Sequence, residues 1–311
     1  YGSPVGRDQT IPVRFPIHFH QEDWQMPKKR VVLTGASGYV AQRMIQPLQE
    51  RYDLVCLDIV DKTRGGKAIP NISIADLANG DRDTYRQHFR GADAIVHCAF
   101  ISAPGMDATS WRDNSEAKFL AEHANIRMAY DVYKTAQEEN VKRVVVASSN
   151  HAADYYERLI WADKLEMVTP EMRLSDNFYG WAKASYELLG FVFASGKVNG
   201  KKLEVVQWRI GGPRDTDMDK VTGGNIKAMH RALGVYLSAR DQAQQAIRMI
   251  ETKNIEDENG VPFLVIYGIS GNAHRFWSLV SAFQKIGYQP EDDSQVRFAD
   301  KIAAIARGES S

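Results

Sequence analysis

Short apolar runs recur along this chain with helix-period stretches between them, and that alternation limits the fold more than any other feature. Val31-Val32-Leu33 and Val144-Val145-Val146 are almost unbroken apolar segments, the pattern of strands buried on both faces of a sheet. Runs at 30–33, 54–57, 71–74, 94–98, 144–147 and 203–208 read as strands, and stretches at 39–51, 81–90, 113–140 and 179–196 as helices. Strands separated by helices make βαβ units, so the expected class is α/β with a doubly wound parallel sheet. Beyond Gly211 the alternation loosens. A Gly/Asp-rich stretch at 211–224 leads to expected helices at 225–233, 242–252, 276–286 and 296–307, with a strand at 263–267. This tail, together with the long connection 151–178, has the material to wall a cleft.

Composition excludes several function classes. Thirty-nine Lys and Arg offset 39 Asp and Glu, so no overall field recruits nucleic acid or an anionic membrane surface. The longest apolar stretches fall far short of the roughly 20 residues of a membrane span. Two cysteines, Cys56 and Cys98, are too few for a disulfide framework or a Cys-rich zinc cage. Both sit in strand-like runs, which suits buried inert thiols and a reducing, cytoplasmic setting. Residues 1–28 contain four prolines and no sustained period, and lack the layout of a secretory signal. They read as an extended arm lying on the body or reaching a neighbouring subunit. His18 and His20 in that arm could be metal ligands, but a packed or solvated arm explains them, so no metal is expected.

Thr34-Gly35-Ala36-Ser37-Gly38-Tyr39-Val40-Ala41 follows the first strand and opens a helix. Glycine permits a tight turn there, and the helix N-terminus offers partial positive charge to a pyrophosphate. Asp58 ends the second strand, twenty residues after Gly38. A carboxylate at that point accepts hydrogen bonds from an adenosine ribose and repels a 2′-phosphate, favouring NAD over NADP. Lys62 and Arg64 lie close enough to weaken that preference, or form an exposed basic loop. Asp76-Leu77, after the third strand, could contact adenine or merely cap the next turn.

Tyr179-Gly180-Trp181-Ala182-Lys183 sets a phenol and an ammonium four residues apart, one turn apart on one helical face. A nearby ammonium stabilises phenolate, which suits a tyrosine acting as general base on a hydroxyl. Ser148-Ser149-Asn150-His151 ends the fifth strand, where a serine can hold a reacting oxygen and Asn and His can bind further hydroxyls. Taken singly each motif occurs by chance: a Tyr/Lys pair can be a packed aromatic beside a solvated lysine. Their order and joint occurrence give the pattern its specificity.

Across roughly residues 30–300 the chain resembles the extended short-chain dehydrogenase/reductase family, and within it the NAD-dependent uronate and aldose 1-dehydrogenases. The likeness rests on Ser148-Ser149-Asn150-His151, Tyr179-Gly180-Trp181-Ala182-Lys183 and Arg209-Ile210-Gly211-Gly212. His230-Arg231-Ala232-Leu233, Tyr236-Leu237-Ser238 and Tyr267-Gly268-Ile269-Ser270-Gly271-Asn272 add to it. The resemblance implies a Rossmann-type NAD-binding domain over 29–210 that carries the catalytic residues. It also implies a mainly substrate-binding cap over 211–311, with one strand and helices returning to the core. Ser149, Tyr179 and Lys183 would be the catalytic set. NAD would be held by Gly35, Ser37, Gly38, Tyr39, Val40, Asp58, Asp76 and Leu77, then by Cys98, Ala99, Phe100, Asn125, Tyr179, Lys183 and Ile210. Ser102, Ser149, Asn150, His151 and Gly212 would meet the sugar, and Arg231 would clamp a substrate carboxylate through its planar fork. Family likeness further suggests a homo-oligomer through helices near 114–140 and 179–196.

Three departures bear on the substrate. Gly212 stands where the uronate enzymes have a serine, the connection 151–179 is longer than theirs, and 213–227 is an additional segment. The implied activity is oxidation of a sugar C1 hydroxyl to a lactone. A nucleotide-sugar epimerase or dehydratase of the same fold is the alternative, although Asn150-His151 occupies the place of the dehydratases' Asp-Glu pair. A non-catalytic dinucleotide sensor is the third reading; such proteins tend to lose Tyr or Lys, and both are kept here.

Overall fold

The structure is a computed structural model that describes residues 27–309 except Arg64, Pro104 and 106–111. His18, His20 and Arg64 therefore lie outside the described residues. The expected strands form as β1 (Arg30–Thr34), β2 (Asp53–Asp58), β3 (Ile72–Ile74), β4 (Ala94–His97), β5 (Arg143–Ser149), β6 (Glu204–Ile210) and β7 (Phe263–Gly268). They make one seven-stranded sheet in the order β3-β2-β1-β4-β5-β6-β7, parallel throughout. This is a Rossmann-like α/β fold. Register aligns the carboxyl ends: Thr34 lies beside Leu57 and His97, and Ser149 beside Ile210. Strand order reverses between β1 and β4, the place where such sheets open a ligand crevice.

The helices are α1 (Tyr39–Arg51), α2 (Asp83–Phe89), α3 (Glu116–Glu138), α4 (Asp154–Ile160), α5 (Phe178–Ala194), α6 (Ile226–Val235), α7 (Ala239–Glu251), α8 (Val280–Ile286), α9 (Ser294–Arg297) and α10 (Ala299–Ala306). Alternate residues of one strand feed different cores. Val31 and Leu33 join Met44, Ala246 and Met249 of α1 and α7 on one face, while Val32 joins Tyr85, Val132 and Tyr186 of α2, α3 and α5 on the other. That two-sided burial is why the strands read as continuous apolar runs. A third, smaller cluster gathers Met218, Val221, Leu233, Tyr236, Phe298 and Ile305 from the segment after β6, α6 and the C-terminal helices.

Two expected elements differ. Residues 276–279 are not helical, because Trp277 bridges Val168, which donates to Phe276 O (2.7 Å) and accepts from Ser278 N (2.9 Å). Trp277 is thereby buried and stacked on Phe276 at 4.0 Å. The expected helix 296–307 is interrupted at Phe298, whose ring packs edge-on against Tyr236 at 5.0 Å. Cys56 and Cys98 are free thiols, and burial pushes them up to about 11 and about 12, the inert state expected of them. Among the described residues, no helix is long and apolar enough to cross a membrane.

Candidate active site

The turn after β1 is shaped by glycine. Gly35 has φ +69°, and a Cβ there would lie 2.5 Å from the Ala99 nitrogen, so the turn can press against the chain leaving β4 only without a side chain. Ser37 N donates to Asp58 Oδ2 (2.8 Å) and Ile59 N to Oδ1 (2.7 Å). The carboxylate is thus oriented by two backbone amides and keeps lone pairs for ribose hydroxyls. No side chain caps the first turn of α1 at Gly38, which leaves the leading amides of Tyr39 and Val40 for an anion. An acidic strand end beside an uncapped helix start is the donor and acceptor set that a dinucleotide requires. The Tyr39 hydroxyl donates to Pro213 O (3.3 Å), and its ring lies 5.1 Å from the Arg214 guanidinium.

Other expected cofactor residues lie at or just after the carboxyl ends of β3, β4 and β6, or on α3. Asn125 of α3 clasps the loop after β4: its Oδ1 accepts from Ile101 N (2.8 Å) and its Nδ2 donates to Ile101 O (2.9 Å). That clasp positions Cys98, Ala99 and the half-exposed Phe100, and Ser102 is exposed on the same loop. Asp76 is exposed and accepts from Ala78 N (2.9 Å), capping its own turn, while Leu77 is buried in the α2/α3 core. Ile210 ends β6 in the opposite core.

Tyr179 lies in the first turn of α5, where Asn177 caps the helix by accepting from Gly180 N (2.9 Å). Asn177 also donates to Asp154 Oδ2 (2.9 Å), and Asp154 pairs with His151 Nδ1 at 2.8 Å. The His151 ring packs edge-on to Tyr179 at 5.6 Å. Gly180 is required by this packing, since a Cβ would fall on His151 O and Ser175 Oγ. Lys183, one turn on, donates to Ala147 O (3.0 Å), with its ammonium 5.5 Å from the Tyr179 ring centroid. Ser149 lies near enough to the Tyr179 hydroxyl to favour its ionised form. Ser149 and Asn150 are buried, and the Asn150 Nδ2 donor has no partner among the described residues, a vacancy suited to a hydroxyl oxygen.

Electrostatics correct one expectation. Lys183 does not leave the Tyr179 phenol acidic. Burial pushes it up to about 12, opposed chiefly by Ser149, and Glu122 and Asp154 push it further. Burial likewise draws the Lys183 ammonium down to about 8.

A cavity of about 500 Å³ adjoins Asp154 and Asn177, walled by α4 and by Trp161, Asn225, Lys227 and Arg231. Here a second expectation changes. The Arg231 fork is already engaged by Glu157, Nε to Oε2 at 2.7 Å and Nη2 to Oε1 at 2.9 Å. That edge cannot also take a substrate carboxylate bidentately while Glu157 holds it. Gly212 donates to Val235 O (2.7 Å) and accepts from Leu237 N (3.0 Å), pinning the strand exit to the α6–α7 connection. Asp154, Glu157, Lys118, Glu122 and Arg214 were not legible as site residues. Only the i,i+4 spacing of Lys118 and Glu122 signalled a pair, and on a helix that spacing ordinarily marks a solvated face.

The chain is similar to a uronate dehydrogenase of Pseudomonas syringae pv. tomato, 28% identical over 281 residues that cover 90% of this chain and 88% of that protein. An L-arabinose 1-dehydrogenase (NAD(P)(+)) of Haloferax volcanii is 26% identical, covering 85% of this chain and 97% of its own. The solved glucuronic acid dehydrogenase of Chromohalobacter salexigens superposes with a TM-score of 0.64 at 25% identity, covering 88% of each chain. The family model for NAD dependent epimerase/dehydratase matches residues 31–245, which span β1 through most of α7. The chain therefore belongs to the NAD-dependent epimerase/dehydratase family.

Proposed function

We propose that this protein is an NAD-dependent sugar dehydrogenase that oxidises the C1 hydroxyl of an aldose or uronate to a lactone. The observation that carries the reading is the convergence of buried Ser149 and Lys183 with half-buried Tyr179 at the carboxyl ends of β4 and β5 beside the Gly35 turn. When bound, the dinucleotide supplies the hydride acceptor. Gly35, Ser37, Gly38, Tyr39, Val40 and Asp58 would hold its adenosine and pyrophosphate, and Lys183 its nicotinamide ribose. Ser149 orients the C1 hydroxyl, and Tyr179, once it has lost the proton that burial makes it hold, takes the hydroxyl proton as phenolate. Asn150 Nδ2, which has no partner among the described residues, would bind a neighbouring hydroxyl, with His151 beside it. Holding the reacting atoms in register contributes much of the rate enhancement.

The likeness to uronate and arabinose 1-dehydrogenases supports oxidation of a free sugar, whereas the wider family name keeps internal epimerisation as the second reading. A panel of aldoses, uronates and sugar phosphates assayed for net NADH separates them. NADH formation with one member, abolished in Tyr179→Phe with NAD binding kept, is the expected result. Absence of NADH with every free sugar, together with interconversion of a nucleotide sugar, would overturn it. We further propose a homo-oligomer packed through α3 and α5, where Phe119, Leu120, Trp181, Leu188 and Phe191 are exposed together. Light scattering reads the mass directly.

A further inference from the structure

We infer that Lys118 is a positioning residue for proton transfer at Tyr179: held by Glu122, it sets a second ammonium against the phenol ring beside that of Lys183. The inference rests on Tyr179 being the general base. Lys118 and Glu122 stand one turn apart on α3, where an ion pair is usually solvated and weak. Here both are buried, Glu122 completely and Lys118 to 7% exposure, with Nζ 3.2 Å from Oε1. Burying two charges costs several kcal/mol before their attraction is counted, so apolar side chains would stabilise this helix contact more simply. A buried pair kept beside a reactive phenol is the kind of arrangement found at functional sites.

The geometry gives the pair its role. The Lys118 ammonium is 5.5 Å from the Tyr179 ring centroid, the same separation as the Lys183 ammonium. Both also approach the Phe100 ring, at 5.9 and 5.1 Å, and Phe100 meets Tyr179 edge-on at 5.7 Å. Phe100, itself half-exposed, thus packs its ring against both cations and the phenol, and the burial of Lys118 and Lys183 strengthens their coupling to the ring. Asn125 Nδ2 donates to Glu122 Oε2 (3.3 Å), fixing the carboxylate on the loop clasp described above.

The other groups facing this cluster do not duplicate its charge. On α5, Glu187 is bound to Arg209 at 2.7 Å through both oxygens, and the buried Tyr186 hydroxyl is pushed well up. At the end of β4, burial draws His97 down to about 3 and raises the Cys98 thiol, so both are neutral. After β5, Asp154 is engaged by His151 and Asn177. Arg214, beyond β6, is exposed. Glu122, whose carboxyl is raised by burial, lies within reach of both lysines and of Tyr179. Two ammonium groups flank the phenol ring, while Glu122 and Asp154 push its titration up and Arg214 draws it down, so removing Lys118 or Glu122 should move it in opposite directions.

The test is the pH profile of kcat for the NAD-saturated enzyme with the most active sugar of the panel. Lys118→Met should move the rising limb up by about one pH unit, lowering turnover near neutrality about tenfold, with KM for the sugar little changed. Glu122→Gln should move the limb down, and Lys118→Arg should keep it in place. Tyrosinate absorbance of the NAD complexes, each taken minus Tyr179→Phe, reads the same midpoints without any sugar. Should Lys118→Met fail to fold, the Glu122→Gln and Lys118→Arg profiles decide by themselves. Unmoved limbs, or limbs that all move in one direction as loosened packing would give, overturn the inference. If Tyr179→Phe itself turns over, the general-base reading fails instead, and the two failures are told apart.

Discussion

Arg231 and Glu157 meet fork to fork in the wall of the cavity beside Asp154 and Asn177, each guanidinium edge nitrogen on its own carboxylate oxygen at 2.7 and 2.9 Å. The pair makes Arg231 a strut between α6 and α4. Glu157 is buried while the Arg231 side chain keeps 26% exposure, so truncating the arginine leaves a carboxylate with poor access to water. Arg231→Met should destabilise by about 2 kcal/mol, less than for a fully buried pair because of that exposure. The double variant with Glu157→Met should regain most of the loss. Urea denaturation of the four proteins measures the coupling, and additive losses would show that the pair is inert.

Gly180 carries α5 across the backbone of His151. A methyl there would collide with His151 O, which is backbone, and with Ser175 Oγ and Cβ, so a side-chain rotation alone does not relieve it. Gly180→Ala should cost about 1–3 kcal/mol, as overpacking does, and reduce kcat at least tenfold by displacing Tyr179, although alanine favours helices. Melting temperature and turnover together check this. A stabilised, fully active variant would show that the contact yields freely.

Asp58 is the acidic end of β2, gripped by Ser37 N and Ile59 N. Asp58→Ala would remove both the proposed ribose acceptor and a charge that disfavours a 2′-phosphate. The ratio of kcat/KM for NAD over NADP should fall at least tenfold, mainly through KM for NAD. Steady-state kinetics with each cofactor decides it. An unchanged ratio would move cofactor selection to other residues, such as the nearby Lys62.

His97 is buried and bonded through Nδ1 to Thr34 Oγ1 at 2.8 Å. Burial, helped by the field of Lys183, lowers its pKa from about 6.5 to about 3. The unfolded chain therefore binds a proton below about 6.5 that the folded chain refuses until about 3. Unfolding then takes up protons in that window, and stability falls as pH drops, by up to about 1.4 kcal/mol per pH unit from this group. His97→Asn should flatten that slope while keeping a donor or acceptor for Thr34. Urea midpoints at several pH values between 4 and 7 supply the comparison.

What the residues alone determined is local and periodic. Two-sided burial writes itself as unbroken apolar runs such as Val144-Val145-Val146, so the strands and their parallel pairing were legible. The Gly35 turn, Asp58, Ser149, Tyr179 and Lys183 were legible because each sits at a strand end or at helical spacing, where sequence distance fixes spatial role. Residues 276–279 misled because an amphipathic pattern cannot show that Val168, more than a hundred positions earlier, supplies a bridging partner. Likewise the helical spacing of Tyr179 and Lys183 announced a charged neighbour but not the burial that outweighs it. Only tertiary packing decided that Arg231 is engaged by Glu157, or that Lys118 and Glu122, an ordinary surface spacing on α3, are enclosed against the Tyr179 ring. Charges separated by tens of residues acquire their energies from distance and local dielectric, and neither exists until the helices are docked on the sheet.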